Sequence, residues 1–386
     1  MNDFFFRFPT TVLFGENTIG HIGAECKKLK ASKAFLVTGK TATKQSPYLP
    51  IILHALQEVS IDVQIFSDVE ADPSIETVDQ GVLAAKEFGA DLIIAFGGGS
   101  PMDAAKSISM VLTNGGSIRD YMKGSRQVEK AALPLICIPT TAGTGSEVTA
   151  GAVTTDKEKQ EKIGVAHPFM LPHLAIVDPR LHVSMPQSVT AATGIDALTH
   201  AVEAYIATKA EPISDALALQ SIRMIGQWLR VAYANGDHLE ARSQMALASL
   251  MAGAAFTNAG LGAVHGLAHP LGAQFGIAHG IANGIMLPFV MEECLIANYS
   301  KFIQIALALG ENIAGLTQRD AAYQAVAAIV KLKEDISIPK GLGEIGLDES
   351  VVEKIVPDAL SYRLLPNSPR RLTQKNLERI VRKALQ

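Results

Sequence analysis

The chain has 386 residues, more than a single hydrophobic core normally organises, so we expect two domains. Its formal net charge of −4 and the lack of a basic block argue against a nucleic-acid partner. Three scattered cysteines, Cys26, Cys137 and Cys294, have no CxxC spacing, which indicates a reducing compartment and excludes a zinc site built from thiolates.

The N-terminal segment MNDFFFRFPTTVLFG is apolar but is interrupted by Arg7 and Pro9. It lacks a basic leader and a small-residue cleavage site, so we do not expect a signal peptide. The predicted location is therefore the cytoplasm.

Short β-branched or aliphatic runs alternate with helical stretches in the first half of the chain, such as Ser74 to Phe88 and Pro101 to Leu112. This alternation predicts βα units and a mostly parallel, Rossmann-like sheet. After Pro186 the sequence is rich in Ala and Leu and carries no strand signal. We therefore predict an α/β nucleotide-binding domain over 1–186 and an all-helical metal-binding and substrate domain over 187–386. The predicted strands are 34–37, 61–66, 91–96, 133–138 and 174–177.

A triple glycine, Gly97-Gly98-Gly99, follows the predicted strand 91–96. Ser100 is predicted as the N-cap of the next helix, with Pro101 at its first position and Asp103 completing the cap. Glycines and free N–H groups at a helix start suit a pyrophosphate. The loop is not GxGxxG, because its last position is Met102, so a plain tight turn remains the alternative.

A second polar loop, PTTAGTGSEVT over 139–149, follows the strand at 133–138. Five hydroxyl groups and two glycines exceed what a simple connection needs. Ligands of parallel sheets bind beyond the carboxyl ends of the strands, and both loops leave such ends. The two loops predict a cofactor that lies in a cleft between the domains.

The stretch from Ser243 to Met291 contains 49 residues without Asp, Glu, Lys or Arg, and it includes His265, His269 and His279. Upstream, Asp196 and His200 stand four apart in the helical run TAATGIDALTHAVEAYI, so they share a helix face. A lone histidine is more often a hydrogen-bonded structural residue than a ligand. Several metal-type ligands beside an uncharged interior predict a buried metal site.

A membrane hairpin is the alternative for this uncharged stretch, because about 20 apolar residues span a bilayer. The stretch contains eight glycines and two prolines, Pro270 and Pro288, besides its histidines. No uninterrupted apolar run in it looks long enough to span, so we do not expect membrane insertion.

Four motifs in order, GGGSPMDAAK, PTTAGTGSEVT, TGIDALTHAVEAY and HGLAHPLGAQFGIAHG, resemble the iron-containing (group III) alcohol dehydrogenases. The resemblance extends along essentially the whole chain and is closest to the bacterial lactaldehyde and propanediol oxidoreductases. It implies an NAD(P)-dependent enzyme that interconverts small primary alcohols or diols and aldehydes. It also implies a homodimer or a larger homo-oligomer.

The same resemblance implies that Asp196, His200, His265 and His279 bind a divalent metal, Fe²⁺ or alternatively Zn²⁺ or Mn²⁺. His269 matches the family histidine beside the nicotinamide and is the implied proton relay or alcohol-orienting group. Spacing alone does not distinguish His265 from His269, and a purely structural role for His269 remains open. The implied cofactor-binding positions are Asp72 (where many relatives carry Asn), Gly97, Gly98, Gly99, Ser100, Thr140, Thr141, Thr149, Lys162 and Leu181.

Gly39 and Lys40 follow the first predicted strand, where NAD-specific relatives commonly place Asp at the position of Gly39. Without that carboxylate a 2′-phosphate is not repelled, and Lys40 offers it a positive charge. The pair predicts that NADP is accepted and preferred to NAD, although Gly39 as a simple turn residue is the alternative.

Two other functions are considered. A lyase of the dehydroquinate synthase type shares the architecture, but its phosphate-bearing substrate needs Lys and Arg near the metal, and the uncharged stretch has none. A metal-dependent hydrolase with a phosphate loop is the second alternative.

Overall fold

The computed structural model describes residues 3–40, 45–159 and 161–386 and divides into two compact units. The α/β unit comprises Phe8–Thr141 and Ser146–Val183, and the helical unit comprises Met1–Arg7, Ala142–Gly145 and Ser184–Gln386. The predicted combination of an α/β part and an all-helical part is confirmed. The boundary between residues 186 and 187 stays a prediction, because the units are defined by contacts and each is discontinuous in sequence.

The α/β unit is built on a six-stranded sheet with the strand order β1-β8-β5-β4-β2-β3, in which all neighbouring strands are parallel. A separate antiparallel hairpin is formed by β6 (Gly151–Asp156) and β7 (Glu161–Ala166). All five predicted strands are present, whereas the short β1 and the hairpin were not predicted. The sheet strands are β1 Thr11–Phe14, β2 Lys33–Gly39, β3 Asp62–Val69, β4 Leu92–Gly97, β5 Leu135–Pro139 and β8 Leu174–Val177.

The central strands are continuous apolar runs because both faces of the sheet are covered. Every residue of β4, β5 and β8 is buried. Along β4, Ile93 and Ala95 pack into one core cluster and Leu92, Ile94 and Phe96 into another. Successive side chains of a strand point to opposite faces, so these clusters lie on the two sides of the sheet.

Among its described residues, the α/β unit contains four α-helices, namely α1 (Ile22–Lys28), α2 (Leu49–Gln57), α3 (Ile75–Phe88) and α4 (Gly99–Asn114). The two helices predicted at 74–88 and 101–112 correspond to α3 and α4. Helix α3 is capped by Ser74, whose side chain accepts a hydrogen bond from the N–H of Thr77. This agrees with the preference for serine at the N-cap.

The predicted cap of α4 is wrong. The helix begins two residues early, at Gly99, and its N-cap is Gly98 rather than Ser100. Ser100 Oγ instead accepts a hydrogen bond from the N–H of Asp72 at 3.1 Å. Asp103 accepts from Ser146 Oγ at 2.7 Å and from the N–H of Val153 at 2.9 Å. Both side chains are engaged in tertiary contacts, which capping preferences do not take into account.

In the part of the helical unit that the structure describes there are nine α-helices, and no strand occurs between residues 187 and 386, as predicted. Its core consists largely of Ala, Ile, Leu, Met and Val side chains, and the small alanines allow helices to approach closely. The helices are α5 Gln187–Ile206, α6 Pro212–Ala234, α7 Leu239–Ala259, α8 Ala263–Phe275, α9 His279–Cys294, α10 Tyr299–Ala308, α11 Gln318–Asp335, α12 Ser350–Ser361 and α13 Gln374–Ala384.

One helical stretch, His279–Ala297, is long and apolar enough to cross a membrane, with a mean hydropathy of 1.4. This stretch extends beyond the uncharged run, which ends at Met291, and includes Glu292 and Glu293, so it does not lie within the run for which no spanning segment was expected. Of its apolar window, 72% is buried inside the protein, as in a core helix. Helices α7 and α8 are long and apolar enough to cross a membrane only when they are taken together as one span. The chain bends by 107° at the break between these two helices. Packing within the protein accounts for the hydropathy of this region.

Candidate active site

Three helices bring a carboxylate and three imidazoles together in the helical unit. Asp196 and His200 lie on α5, His265 lies in the first turn of α8, and His279 is the first residue of α9. One potential ligand atom from each of the four residues lies within 4.8 Å of the others. A cation with bonds of about 2.1 Å holds its ligand atoms at separations of about 3–4 Å, so small side-chain movements suffice to enclose one.

The close approach of α9 to α5 depends on Gly280. A Cβ atom at this position would overlap the carbonyl oxygen of Ala192 and would lie 3.3 Å from Cβ of Asp196. Only glycine therefore lets the N-terminal turn of α9 reach α5 beside Asp196. This contact places His279 next to the carboxylate, with 3.7 Å between His279 Nε2 and Asp196 Oδ1.

The imidazole of His265 is held by a buried carboxylate that the sequence analysis did not identify. Nδ1 of His265 donates to Glu203 Oε2 at 2.6 Å, which leaves Nε2 as an acceptor. Burial, together with the neighbouring His200, His279 and His269, lowers the pKa of His265 well below its usual value. A neutral ring with its proton on Nδ1 is the form that binds a metal through Nε2.

His200 is oriented in the same way by a backbone carbonyl. Its Nδ1 lies 3.2 Å from the oxygen of Gly143, which leaves Nε2 as the acceptor. The ring stacks between Phe256 and His265, with centroid distances of 4.6 and 4.8 Å. Burial lowers the pKa of His200 as well, so its ring is neutral at neutral pH. Gly143 belongs to the predicted second polar loop, yet it lies in the helical unit and supports the histidine cluster.

Asn283 provides a test of whether these residues fit a metal. Its buried Nδ2 lies 2.6 Å from Asp196 Oδ1 and 3.1 Å from Nε2 of both His265 and His279. An amide group has two hydrogens, so it cannot donate to all three acceptors. Within the described part of the chain, Asn283 Oδ1 has no hydrogen-bond partner although it is buried. Acceptor atoms thus converge without enough donors, which is the arrangement that a divalent cation stabilises.

His269 lies beside this cluster but is not part of it. It follows His265 by one turn of α8, and its ring centroid lies 5.9 Å from that of His265 and 5.6 Å from that of His279. The edge of Tyr362 contacts the same ring at a centroid distance of 5.3 Å. His269 is only partly buried, in contrast to His265.

In the α/β unit, the predicted cofactor-binding residues gather at the carboxyl edge of the sheet. The chain passes from β2 to β3 on one side and then to β4 on the other side of β2, so the ends of β2 and β4 form a topological switch point. Crevices at such points bind ligands in open α/β sheets. Gly39 ends β2 and Gly97 ends β4, so the two glycines flank this crevice.

Hydrogen bonds connect several of these predicted residues. The N–H of Thr140 donates to Gly97 O at 2.9 Å, and a Cβ on Gly98 would press against Thr141. Asp72 is bound to Ser100, as described above, and it forms an ion pair of 2.8 Å with Lys162. Thr149 and Leu181 are both buried, Leu181 among the apolar side chains on one face of the sheet.

Lys106 is a second functional candidate that the sequence analysis missed. This fully buried lysine lies on α4, and its Nζ donates to Ser146 Oγ, Thr149 Oγ1 and Gly151 O at 2.7–2.9 Å. Burial lowers its pKa. The three bonds tie the helix after the triple glycine to the end of the second polar loop. The only sequence signal for this connecting role of Lys106 was its position three residues after Asp103, which places both side chains on one helix face.

Glu203 and Asn283 also had a weak signal in the sequence. Glu203 follows Asp196 by seven residues and Asn283 follows His279 by four, so each shares a helix face with a predicted ligand. Polar residues at such spacings are common on solvated helix faces, and only the structure shows that both are buried.

Comparisons with known protein families assign the chain to a family. Residues 9–179 match the model of the iron-containing alcohol dehydrogenases, and residues 190–385 match the model of the C-terminal part of the Fe-containing alcohol dehydrogenase family. The chain belongs to the iron-containing alcohol dehydrogenase family. The predicted resemblance is confirmed, and with it the prediction of an alcohol dehydrogenase that interconverts alcohols and aldehydes.

Individual members of the family are similar over almost their whole length. The NAD-dependent methanol dehydrogenase of Bacillus methanolicus is 39% identical, covering 100% of both chains. The 1,3-propanediol dehydrogenase of Klebsiella pneumoniae is 42% identical, covering 99% of this chain and 98% of the relative. The lactaldehyde reductase of Escherichia coli (strain K12) is 35% identical, covering 95% and 96%.

A crystal structure of a 1,3-propanediol oxidoreductase superimposes with a TM-score of 0.96 at 41% identity, covering 99% of this alcohol dehydrogenase and 100% of that chain. These similarities favour neither the dehydroquinate synthase type of lyase nor a hydrolase. The relatives' names include NAD dependence and give no support to the predicted preference for NADP.

Proposed function

We propose that this protein binds a divalent metal, Fe²⁺ in the first place, through Asp196, His200, His265 and His279. With this metal and a nicotinamide cofactor it interconverts small, uncharged primary alcohols or diols and their aldehydes. The observation that carries the proposal is the convergence of four potential ligand atoms within 4.8 Å, three of them on buried residues. Zn²⁺ and Mn²⁺ suit the same ligand set.

A metal held by these residues supplies Lewis acidity toward the alcohol or aldehyde oxygen, and the nicotinamide supplies or accepts hydride. The protein's own residues supply the rest. Glu203 and Gly143 keep His265 and His200 in the tautomer with a free Nε2. His269, whose ring is partly exposed beside the cluster, carries the proton between the substrate oxygen and solvent.

The α/β unit binds the cofactor in this proposal. The N-terminus of α4 and the backbone of Gly97, Gly98 and Gly99 bind the pyrophosphate. The remaining proposed contacts to the nucleotide and nicotinamide are made by Asp72, Ser100, Thr140, Thr141, Thr149, Lys162 and Leu181. Because Leu181 and Thr149 are buried, they shape the floor of this site and are not its polar contacts.

The substrate class follows from the surroundings of the histidines. Helix α8 and the first three turns of α9 carry no Asp, Glu, Lys or Arg. A substrate carboxylate or phosphate would lack a counter-charge there, so uncharged alcohols and diols are favoured over hydroxy acids. The relatives named for methanol and 1,3-propanediol support this class. We further propose a cytoplasmic enzyme that forms a homodimer or larger homo-oligomer.

The test combines metal analysis with an activity panel. We expect the purified protein to contain iron or zinc and to oxidise short primary alcohols and diols, followed by the near-ultraviolet absorbance of the reduced nicotinamide. Removal of the metal with a chelator should abolish turnover, and Fe²⁺ should restore it. Full activity of the metal-free protein would contradict the proposal, as would a lack of oxidation with every alcohol and both cofactors.

Gly39 determines the choice of cofactor in this proposal, and we predict that NADP is preferred to NAD. Gly39→Asp should shift the ratio of kcat/KM values toward NAD by roughly tenfold or more, since close like charges cost about 1–4 kcal/mol near a protein surface. Gly39→Asn is the matched control, because it adds nearly the same volume without charge. A strong wild-type preference for NAD that Gly39→Asp leaves unchanged would show that this position does not select the cofactor.

A further inference from the structure

Glu203 is a buried acidic residue beside the histidine cluster, and neither metal binding nor hydride transfer requires it directly. It lies one turn after His200 on α5 and is 4% exposed. Its two carboxylate oxygens have different partners. Oε2 accepts from Nδ1 of His265 at 2.6 Å, and Oε1 accepts from the N–H of Val264 at 2.7 Å.

The second of these contacts places the carboxylate at the N-terminus of α8. The first helical N–H, that of Ala263, donates to Ser368 Oγ at 3.1 Å, and the next, that of Val264, donates to Glu203. A carboxylate at this end of a helix satisfies free N–H groups and is stabilised by the helix dipole. Glu203 therefore fixes both the start of α8 and the ring orientation of His265, which lies in the same turn.

The geometry points to Glu203 as the positioning residue of the metal site, which makes the Nε2 lone pair of His265 a strong and correctly directed ligand. A carboxylate that accepts from the far nitrogen of a ligating imidazole fixes its tautomer and raises its basicity. Loss of such a partner typically lowers metal affinity by about 10–100-fold. This inference rests on the proposed metal site, and it identifies Glu203 as a residue that determines how tightly that site binds its metal.

Glu211 offers a matched control because it is also a buried glutamate at a helix N-terminus in the same unit. It is 7% exposed and accepts from the N–H groups of Ile213 and Ser214 at 2.8 and 2.7 Å at the start of α6. It thus shares the capping role of Glu203 and has no bond to a histidine among these contacts. A change at Glu211 reports the cost of losing a buried capping carboxylate alone.

The experiment measures Zn²⁺ affinity of the metal-free full-length protein by competition with a chelating indicator, for wild type, Glu203→Gln and Glu211→Gln. We expect Glu203→Gln to weaken Zn²⁺ binding by about 10–100-fold, while Glu211→Gln leaves it within about twofold. The visible absorption bands of the Co²⁺-loaded protein should change in Glu203→Gln and not in Glu211→Gln. Circular dichroism and thermal unfolding of the metal-free forms measure the structural cost of each change.

Equal Zn²⁺ affinity and an unchanged Co²⁺ spectrum in Glu203→Gln would overturn the inference. If Glu203→Gln does not fold, Glu203→Asp decides, because it keeps the charge and withdraws the carboxylate by one methylene. Weaker Zn²⁺ binding by folded Glu203→Asp supports the inference, and wild-type affinity overturns it. A wild-type protein that binds Zn²⁺ no better than His265→Ala would contradict the proposed metal site itself, which is a distinct outcome.

Discussion

His265→Ala is expected to lose bound metal and dehydrogenase activity together. The substitution removes one of the four proposed ligand atoms and leaves the buried Glu203 without its imidazole partner. The loss of metal affinity should exceed the roughly 100-fold that removal of a supporting hydrogen bond costs, because a bond to the metal itself is lost. Elemental analysis and alcohol oxidation, measured on the same preparation, check this result.

His238→Ala is a suitable control for this experiment. His238 lies in the same unit, where its side chain accepts from the N–H of Ala241 and caps α7, away from the four candidate ligands. It should retain metal and activity with only a modest loss of thermal stability, as for other N-cap substitutions. Full metal occupancy in His265→Ala would remove His265 from the site.

His269→Ala is expected to separate metal binding from turnover. The ring of His269 lies 5.6 Å from that of His279, yet His269 is not among the four residues whose ligand atoms converge. The variant should therefore keep its metal, while kcat falls by about 10²–10⁴, as is typical when a general acid–base group is removed. Metal analysis and the pH profile of kcat measure the two effects independently.

The pH profile distinguishes proton transfer from a purely structural role. If His269 moves a proton, its loss should remove an ionisation from the profile of kcat, and a small added base such as imidazole should restore part of the rate. A structural histidine would instead lower thermal stability and leave the shape of the profile intact. Wild-type turnover of His269→Ala at every pH would exclude the proposed relay.

Much of the fold was predictable because local patterns repeat along the chain. Buried parallel strands must be apolar on both faces, so the runs at 91–96, 133–138 and 174–177 identified β4, β5 and β8 from sequence alone. The pairing of Asp196 with His200 was equally accessible, because spacing along a helix determines which residues share a face. The short β1 and the hairpin of β6 and β7 lack such a pattern, and their strands form only through pairing.

The start of α4 and the choice between the two histidines of α8 were decided by the tertiary structure. Ser100 has the residue type of a helix cap, but Asp72 donates to its hydroxyl and the chain turns at Gly98 instead. His265 and His269 share one helix face, and the sequence does not distinguish them. In the structure His265 faces Asn283 and the potential ligand atoms of α5 and α9, whereas His269 packs against Tyr362.

The sequence by itself determined which residues are able to bind a metal, because ligand chemistry belongs to the side-chain type and helical spacing is local. It did not determine Glu203 and Asn283, whose roles depend on burial and on partners 62 and 87 residues away along the chain. An acidic or amide side chain on a helix is ordinarily solvated. Only the packing of α5, α8 and α9, which Gly280 allows, buries Glu203 and Asn283, so that they form hydrogen bonds with the candidate ligands and not with water.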